Sequence, residues 1–183
     1  MAKFQIQNAA STVNWTGKKI LGLHTGNINI ESGFLDIVNG LITGGEINMD
    51  MTSIAITDIE DIKTNSDFLA HLQNDDFFSV DKFKSARLEI TGSKPADNNT
   101  LTISGNLAIK DITHPVSFDA KVEIFTDHLY SLGEIVIDRT MYNIRYGSGK
   151  FIGNLGDKLI YDNFDLQFKL VAQRLKDEET NHS

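Results

Sequence analysis

The chain of 183 residues contains no cysteine. Disulfides, thiolate metal sites and thiol nucleophiles are therefore excluded. The lack of cysteine also fits a reducing compartment. No run of about 20 apolar residues occurs, so no membrane-spanning helix and no stable membrane insertion is expected. The opening stretch MAKFQIQNAASTVNW has one lysine and lacks the apolar segment of about 7–15 residues that a secretion leader needs. The sequence thus predicts a cytoplasmic protein, or a periplasmic one if a leader has been removed. Basic residues are in the minority, 17 against 25 acidic, for a net charge of −8. With no Lys/Arg cluster, a nucleic-acid-binding surface is not expected. The 2 prolines are read as Pro95 in a loop and Pro115 opening a strand.

What the chain does have is alternation. Val116, Phe118, Ala120, Val122 and Ile124 are apolar, and Ser117, Asp119, Lys121 and Glu123 between them are polar. A period of two means a strand with one dry and one wet face. Leu101–Ile109 and Ile160–Leu170 repeat the pattern, Leu41–Met51 follows it more weakly, and Ile20–Ile30 forms a further case. Asn39-Gly40 predicts a tight hairpin after the Phe34–Val38 run. Gly92 to Asn99 reads as a polar loop, and Thr126-Asp127-His128 as a short hairpin connection. Between Asp61 and Asp75 the spacing of Ile62, Phe68, Leu69 and Leu72 is near-helical, with Asn65 or Ser66 as candidate N-cap. This short helix is expected as a lid or plug. The charged tail from Lys176 is expected to fray.

These features predict an all-β, antiparallel up-and-down barrel of about eight strands with one short helix at about 61–75, as a single domain over 1–183. Long alternating strands must close or stack to protect their edges. A barrel of about eight strands is just wide enough to hold its own side chains or one small ligand.

Particular residues then resemble a known family. Trp15 with Gly17-Lys18 and Gly22-Leu23-His24-Thr25-Gly26 resembles the opening of YceI-like proteins. His71-Leu72-Gln73-Asn74-Asp75-Asp76-Phe77-Phe78-Ser79-Val80 is similar to that family's HL-x-S-x-D-FFDV signature. Gly105–Ile109 with Thr113–Val116, and Ile137-Asp138-Arg139 through Met141-Tyr142-Asn143-Ile144, resemble two later stretches in the correct order. Lys84 stands where the family often has proline, Asp111 where it often has glycine, and the secretion signal of many members is absent. The resemblance implies a lipocalin-like barrel that holds a long apolar molecule, polyisoprenoids being the associated ligand class.

Two polar residues share parity with inward-facing ones. His24 is expected inside, flanked by Gly22 and Gly26, which would leave space around it. It reads either as a partner for a ligand headgroup or as a core histidine bonded to a neighbour. Arg139, in phase with Ile135 and Ile137, reads either as a clamp on an anionic headgroup or as the partner of Asp138, Asp162 or Glu134. Arg145 and Lys18 are lesser candidates for the same headgroup role and read better as solvated. Phe68, Leu72, Phe77 and Phe78 are expected to line the mouth of the hollow or to seal one end. Met49, Met51, Met141, Tyr142, Ile144 and Tyr146 are placed on or near strands and read either as lining the same cavity or as plain core.

The acidic runs Asp75-Asp76, Asp58 with Glu60-Asp61, and Asp177-Glu178-Glu179 read as solvated surface. The histidines at 24, 71, 114, 128 and 182 show no metal-ligand spacing, and no hydrolase elbow, phosphate loop or dinucleotide fingerprint occurs. No metal and no cofactor is expected. Gly147-Ser148-Gly149-Lys150 lacks the full phosphate-loop pattern. The function expected is non-catalytic binding, carriage or storage of an apolar, lipid-like ligand. The alternatives are an enzyme using His24 on a small apolar substrate, and a filled-core protein-interaction module. A homodimer is compatible with all three.

Overall fold

The computed structural model describes residues 1–176. The acidic run at 177–179, His182 and all of the expected frayed tail beyond Lys176 lie outside the described residues. Nine strands and one helix follow in order: β1 (Ala2–Ile6), β2 (Thr12–Lys19), β3 (Gly22–Val38), β4 (Leu41–Ile56), α1 (Ile62–Gln73), β5 (Ser85–Pro95), β6 (Thr100–Ile109), β7 (Ile112–Ile124), β8 (His128–Asp138) and β9 (Ile160–Arg174).

Every strand pairs antiparallel with its neighbour, and β2 pairs with β9 to close the sheet into a barrel. The barrel has eight staves, because β1 and β2 act as one. Both lie between β3 and β9, β1 against Phe34–Ile37 and Ala172–Arg174, β2 against Gly22–Ile28 and Ile160–Lys169. A short 3-10 turn at Asn8–Ala10 separates them. The expected eight-stranded antiparallel barrel with one helix is thus the observed fold.

The two runs Ile20–Ile30 and Phe34–Val38 belong to one continuous strand, β3, 17 residues long. Three register shifts against β4 bend it around the barrel. They also explain why one alternation phase does not run through it. Ile20 falls outside β3, in the exposed β2–β3 turn. The Asn39-Gly40 hairpin is present, with φ of 51° and 76° at its two residues. Lys110-Asp111 makes a second two-residue turn, also at positive φ, 53° and 59°. Aspartate tolerates that region better than most residues, which accounts for Asp111 at a position that suits glycine. Half of the polar segment Gly92–Asn99 is strand: β5 runs to Pro95, pairing with Leu101, and only residues 96–99 form the loop.

Pro115 lies inside β7 rather than at its start, opposite Asn106. It is tolerated because the other side of β7 is unpaired there. The β7–β8 hairpin registers only Ala120–Ile124 with Leu129–Gly133, and beyond Gly133 the strands diverge. A missing N–H costs no ladder bond at such a position.

Helix α1 is capped by Asp61, whose carboxylate accepts from Thr64 N at 2.8 Å, and not by Asn65 or Ser66. Asn65 instead donates from Nδ2 to the carbonyls of Ile56 and Ile59, fastening the helix to the end of β4. Phe68, Leu69 and Leu72 face the barrel, whereas Ile62 points to solvent. The apolar stripe of α1 is therefore one turn shorter than its sequence spacing suggests.

Candidate functional site

The inward faces of the strands enclose a hollow of about 380 Å³. That lies within the range of about 300–1,000 Å³ typical of small-molecule sites. Its wall is almost wholly hydrocarbon, with Ile30, Met51, Leu107, Phe118, Leu166 and Phe168 contributing from five different strands. The hollow does not run the full length of the barrel. Toward the hairpin end Phe4, Leu129 and Ala172 are fully buried, touch the common core and do not line it.

The other end is the mouth. Leu72, Phe68, Phe77 and Phe78, from α1 and the turn after it, all line the hollow there, as do Met49, Met51 and Ile144. The turn is built by its polar residues. Asn74 Oδ1 accepts from Asp76 N at 2.9 Å, and Asp75 accepts from Ser79 Oγ and Lys82 Nζ. This holds the Asp75 carboxyl below its ordinary range, Lys82 being the chief cause. With those residues outside, Phe77, Phe78 and Val80 turn inward. His71 stands edge-on to Phe77 and Tyr146, packing the helix against the later loop.

His24 lines the mouth, with its ring centroid 4.9 Å from that of Phe68. Its Nδ1 is 2.9 Å from Asp58 Oδ2, while Asp58 Oδ1 accepts from Thr25 N at 3.1 Å. Burial raises the Asp58 carboxyl, but the hydrogen bonds from His24 and Thr25 and the charge of His24 outweigh it and hold it below its usual value. An ionised carboxylate only accepts, so Nδ1 carries a proton and donates it to Asp58, which leaves Nε2 as the ring nitrogen directed away from the carboxylate. Among the described residues Nε2 makes no hydrogen bond.

The glycines beside His24 do not both leave space. A Cβ at Gly26 would lie 1.8 Å from the Ala55 carbonyl and 2.5 Å from Trp15 ring atoms. Trp15 thus occupies the room that Gly26 vacates, and its indole becomes part of the wall. Its Nε1 is buried and without a hydrogen-bond partner among the described residues. Gly22 has nothing within 4 Å.

Arg139 is buried at the rim but is not paired with Asp138, Asp162 or Glu134. Strand β8 ends at Asp138, and Arg139 begins a 3-10 turn over Arg139–Tyr142. Its Nε donates to Tyr161 O at 3.1 Å, one terminal nitrogen to Ile144 O at 3.0 Å and the other to Ile160 O at 3.1 Å. Burial pushes the guanidinium down, and Asp162 and Asp138 oppose this from farther away. An arginine so placed stays charged. Three of its five N–H groups are committed to backbone carbonyls, so it latches the segment after β8 onto the start of β9.

Two further side chains hold that segment. Lys110 Nζ donates to Asn143 O at 3.1 Å, and His114 Nε2 lies 2.9 Å from Met141 O. Asp138 caps the 3-10 turn by accepting from Thr140 N at 2.9 Å. The Ile-Asp-Arg stretch is therefore built first as a latch. It also relocates two expected cavity residues. Met141 is exposed and does not line the hollow. Tyr142 is buried against His114, ring centroids 5.2 Å apart, and faces away from the hollow; burial raises its phenol pKa. Tyr146 is exposed. All three follow a strand rather than belong to one, so parity does not govern them.

The sequence reading missed the rest of the polar rim. Lys18, Lys19, Tyr161 and Asn163 line the mouth with His24 and Arg139. Lys18 pairs with Asp165 at 3.2 Å rather than standing free. Ser131, on β8, is the other polar side chain of the wall, and it lies far from the rim. The serine was legible in principle, since it is in phase with Ile135 and Ile137. No helix among the described residues is long and apolar enough to cross a membrane.

Solved structures resemble this barrel at low sequence identity. BcnA of Burkholderia cenocepacia superposes with a TM-score of 0.72 at 19% identity, over 91% of this chain and 98% of that one. A polyisoprenoid-binding domain from Saccharophagus degradans, implicated in plant cell wall breakdown, gives 0.70 at 13% identity, over 94% and 98%. The YceI protein of Campylobacter jejuni gives 0.59 at 16%, over 87% and 85%. No curated protein matches the chain significantly. The family model for the YceI-like domain matches residues 4–172. With eight staves, a helix at the mouth and a match over nearly all its length, this chain belongs to the YceI-like family.

Proposed function

We propose that this protein binds an apolar, chain-like molecule of the polyisoprenoid or long-chain amphiphile class inside its barrel, without chemical conversion. The observation that carries the reading is the hollow itself, about 380 Å³ walled by hydrocarbon within an otherwise close-packed core. The name of the Saccharophagus degradans relative, a polyisoprenoid-binding domain, supports the same class. Each methylene moved from water into such a wall contributes about 0.8 kcal/mol, so about 15 carbons contribute about 12 kcal/mol gross. Association costs about 4–15 kcal/mol. The gain is comparable to the cost, so affinity depends on the barrel being preformed, as the closed ladder makes it. Native mass spectrometry of protein purified without detergent tests this. A bound apolar mass is expected; a protein that carries none and takes up no long-chain probe contradicts the proposal.

One observation favours a second reading. Asp58 orients His24 as a carboxylate orients a general base, leaving Nε2 directed away from it. No serine or threonine hydroxyl lies within hydrogen-bond reach of Nε2 among the described residues, so a bound substrate or water would have to supply the reacting group. Loss of a measurable hydrolase activity in His24→Ala would favour that reading over plain binding.

A further inference from the structure

The closed end of the hollow carries one polar group. Ser131 is only 5% exposed and lines the cavity, yet its hydroxyl makes no hydrogen bond among the described residues. It is not among the side chains fully shielded from contact, as Trp15 Nε1 is, so the hydroxyl opens on the hollow. Ser131 pairs with Leu170 on β9 and Val122 on β7. Just past it toward the hairpin end, Leu129 is completely buried.

The rim polar groups are remote. Lys19 pairs with Ile160 of β9, and Ser131 with Leu170. The ten steps from Ile160 to Leu170 span roughly 33 Å along the strand. The side chains that the register sets beside Ser131 are Val122 on β7 and Leu170 on β9, with Phe168 one inward position along β9, all hydrocarbon.

Water does not settle such a group. A buried water needs about 2–4 polar partners, and a hydroxyl set among hydrocarbon offers only one. The unmet hydroxyl therefore weighs on the empty protein, and a ligand atom able to hydrogen-bond to it relieves that cost. A carboxylate or phosphate does not fit, because one hydroxyl cannot replace the hydration of a full charge.

We propose that Ser131 is a ligand-reading residue at the floor of the hollow, which recognises an uncharged oxygen, a hydroxyl or carbonyl, on the inserted end of the apolar chain. The proposal rests on the binding function above and makes it more specific. The preferred ligand is a neutral amphiphile bound polar end inward, rather than one with its only polar group at the rim.

Dodecanol and dodecane serve as paired probes, with binding to the whole chain read from Trp15 fluorescence or calorimetry. Ser131→Ala is expected to weaken dodecanol about tenfold, within the range a lost buried hydrogen bond allows, and to leave dodecane within about twofold. Ser131→Thr, which keeps the hydroxyl, is expected to retain the preference for the alcohol. Equal effects on both probes overturn the proposal, as does alcohol affinity that falls in His24→Ala but not in Ser131→Ala. Dodecane binding to the unaltered protein separates the two levels of inference. If it binds and Ser131→Ala changes nothing, only the floor residue is refuted; if neither probe binds, the binding function fails and the floor residue with it.

Discussion

Replacing Arg139 by methionine distinguishes a latch from a headgroup clamp. The guanidinium donates to the carbonyls of Tyr161, Ile144 and Ile160 at 3.0–3.1 Å, and the residue is only 4% exposed. Methionine fills much of the volume but leaves three carbonyls without donors. Each orphaned carbonyl costs about 1–3 kcal/mol when water cannot reach it. The change also removes a charge that burial disfavours, which returns part of the loss. A net destabilisation of about 3 kcal/mol is expected, equivalent to about 6–12 °C in melting temperature for a chain of this size. Urea unfolding followed by the fluorescence of the single tryptophan, Trp15, measures it directly. Arg139→Lys keeps the charge but cannot reach three carbonyls at once, so it is expected to fall between methionine and arginine. If Arg139→Met stays within about 1 kcal/mol of the unaltered protein and instead loses affinity for an anionic amphiphile, the latch reading is wrong and the clamp is right.

Two other outcomes follow from the same structure. The Asp58 carboxyl titrates below its unfolded value of 3.8 when folded, so its contribution to stability is complete above that value and disappears as pH falls through the folded one. Acid unfolding of Asp58→Asn, followed by circular dichroism, should show a shallower loss of stability below about pH 4 than the unaltered protein; identical curves would mean that the His24 contact contributes nothing. Asp111 adopts φ of 59° in the β6–β7 turn, so Asp111→Gly should raise stability by up to about 1 kcal/mol in urea titration, and a loss of stability would show that the aspartate side chain has a role of its own.

Alternation made the barrel legible, because one period-two pattern fixes both strand and face. It read Leu101–Ile109, Val116–Ile124 and Ile160–Leu170 directly. It failed where the ladder is irregular. The bulges of β3 reset its phase, and Pro115 sits in a strand whose outer partner has diverged, a fact of tertiary structure that no local signal carries. At the site, parity placed His24 against the hollow, and the apolar cluster at the helix and the turn after it pointed to Phe68, Phe77 and Phe78 as mouth or seal. It placed Arg139 inward as well, but not the identity of its partners: backbone carbonyls 5 to 22 residues away leave no charge signature in a sequence. Met141 and Tyr142 were misplaced because strand phase was carried past Asp138, where a 3-10 turn ends it. The role of Gly26 was inverted for a similar reason. A small residue signals room, and only the structure shows that Trp15 fills it.

The most direct test of a hollow that accepts a greasy chain is a titration of delipidated protein with geranylgeraniol, monitored through Trp15 in the cavity wall. A saturable change in its fluorescence, complete at one ligand per chain and abolished when Ala86→Phe fills the same space, is the predicted result. A signal that never saturates, or one that persists unchanged in Ala86→Phe, would contradict it.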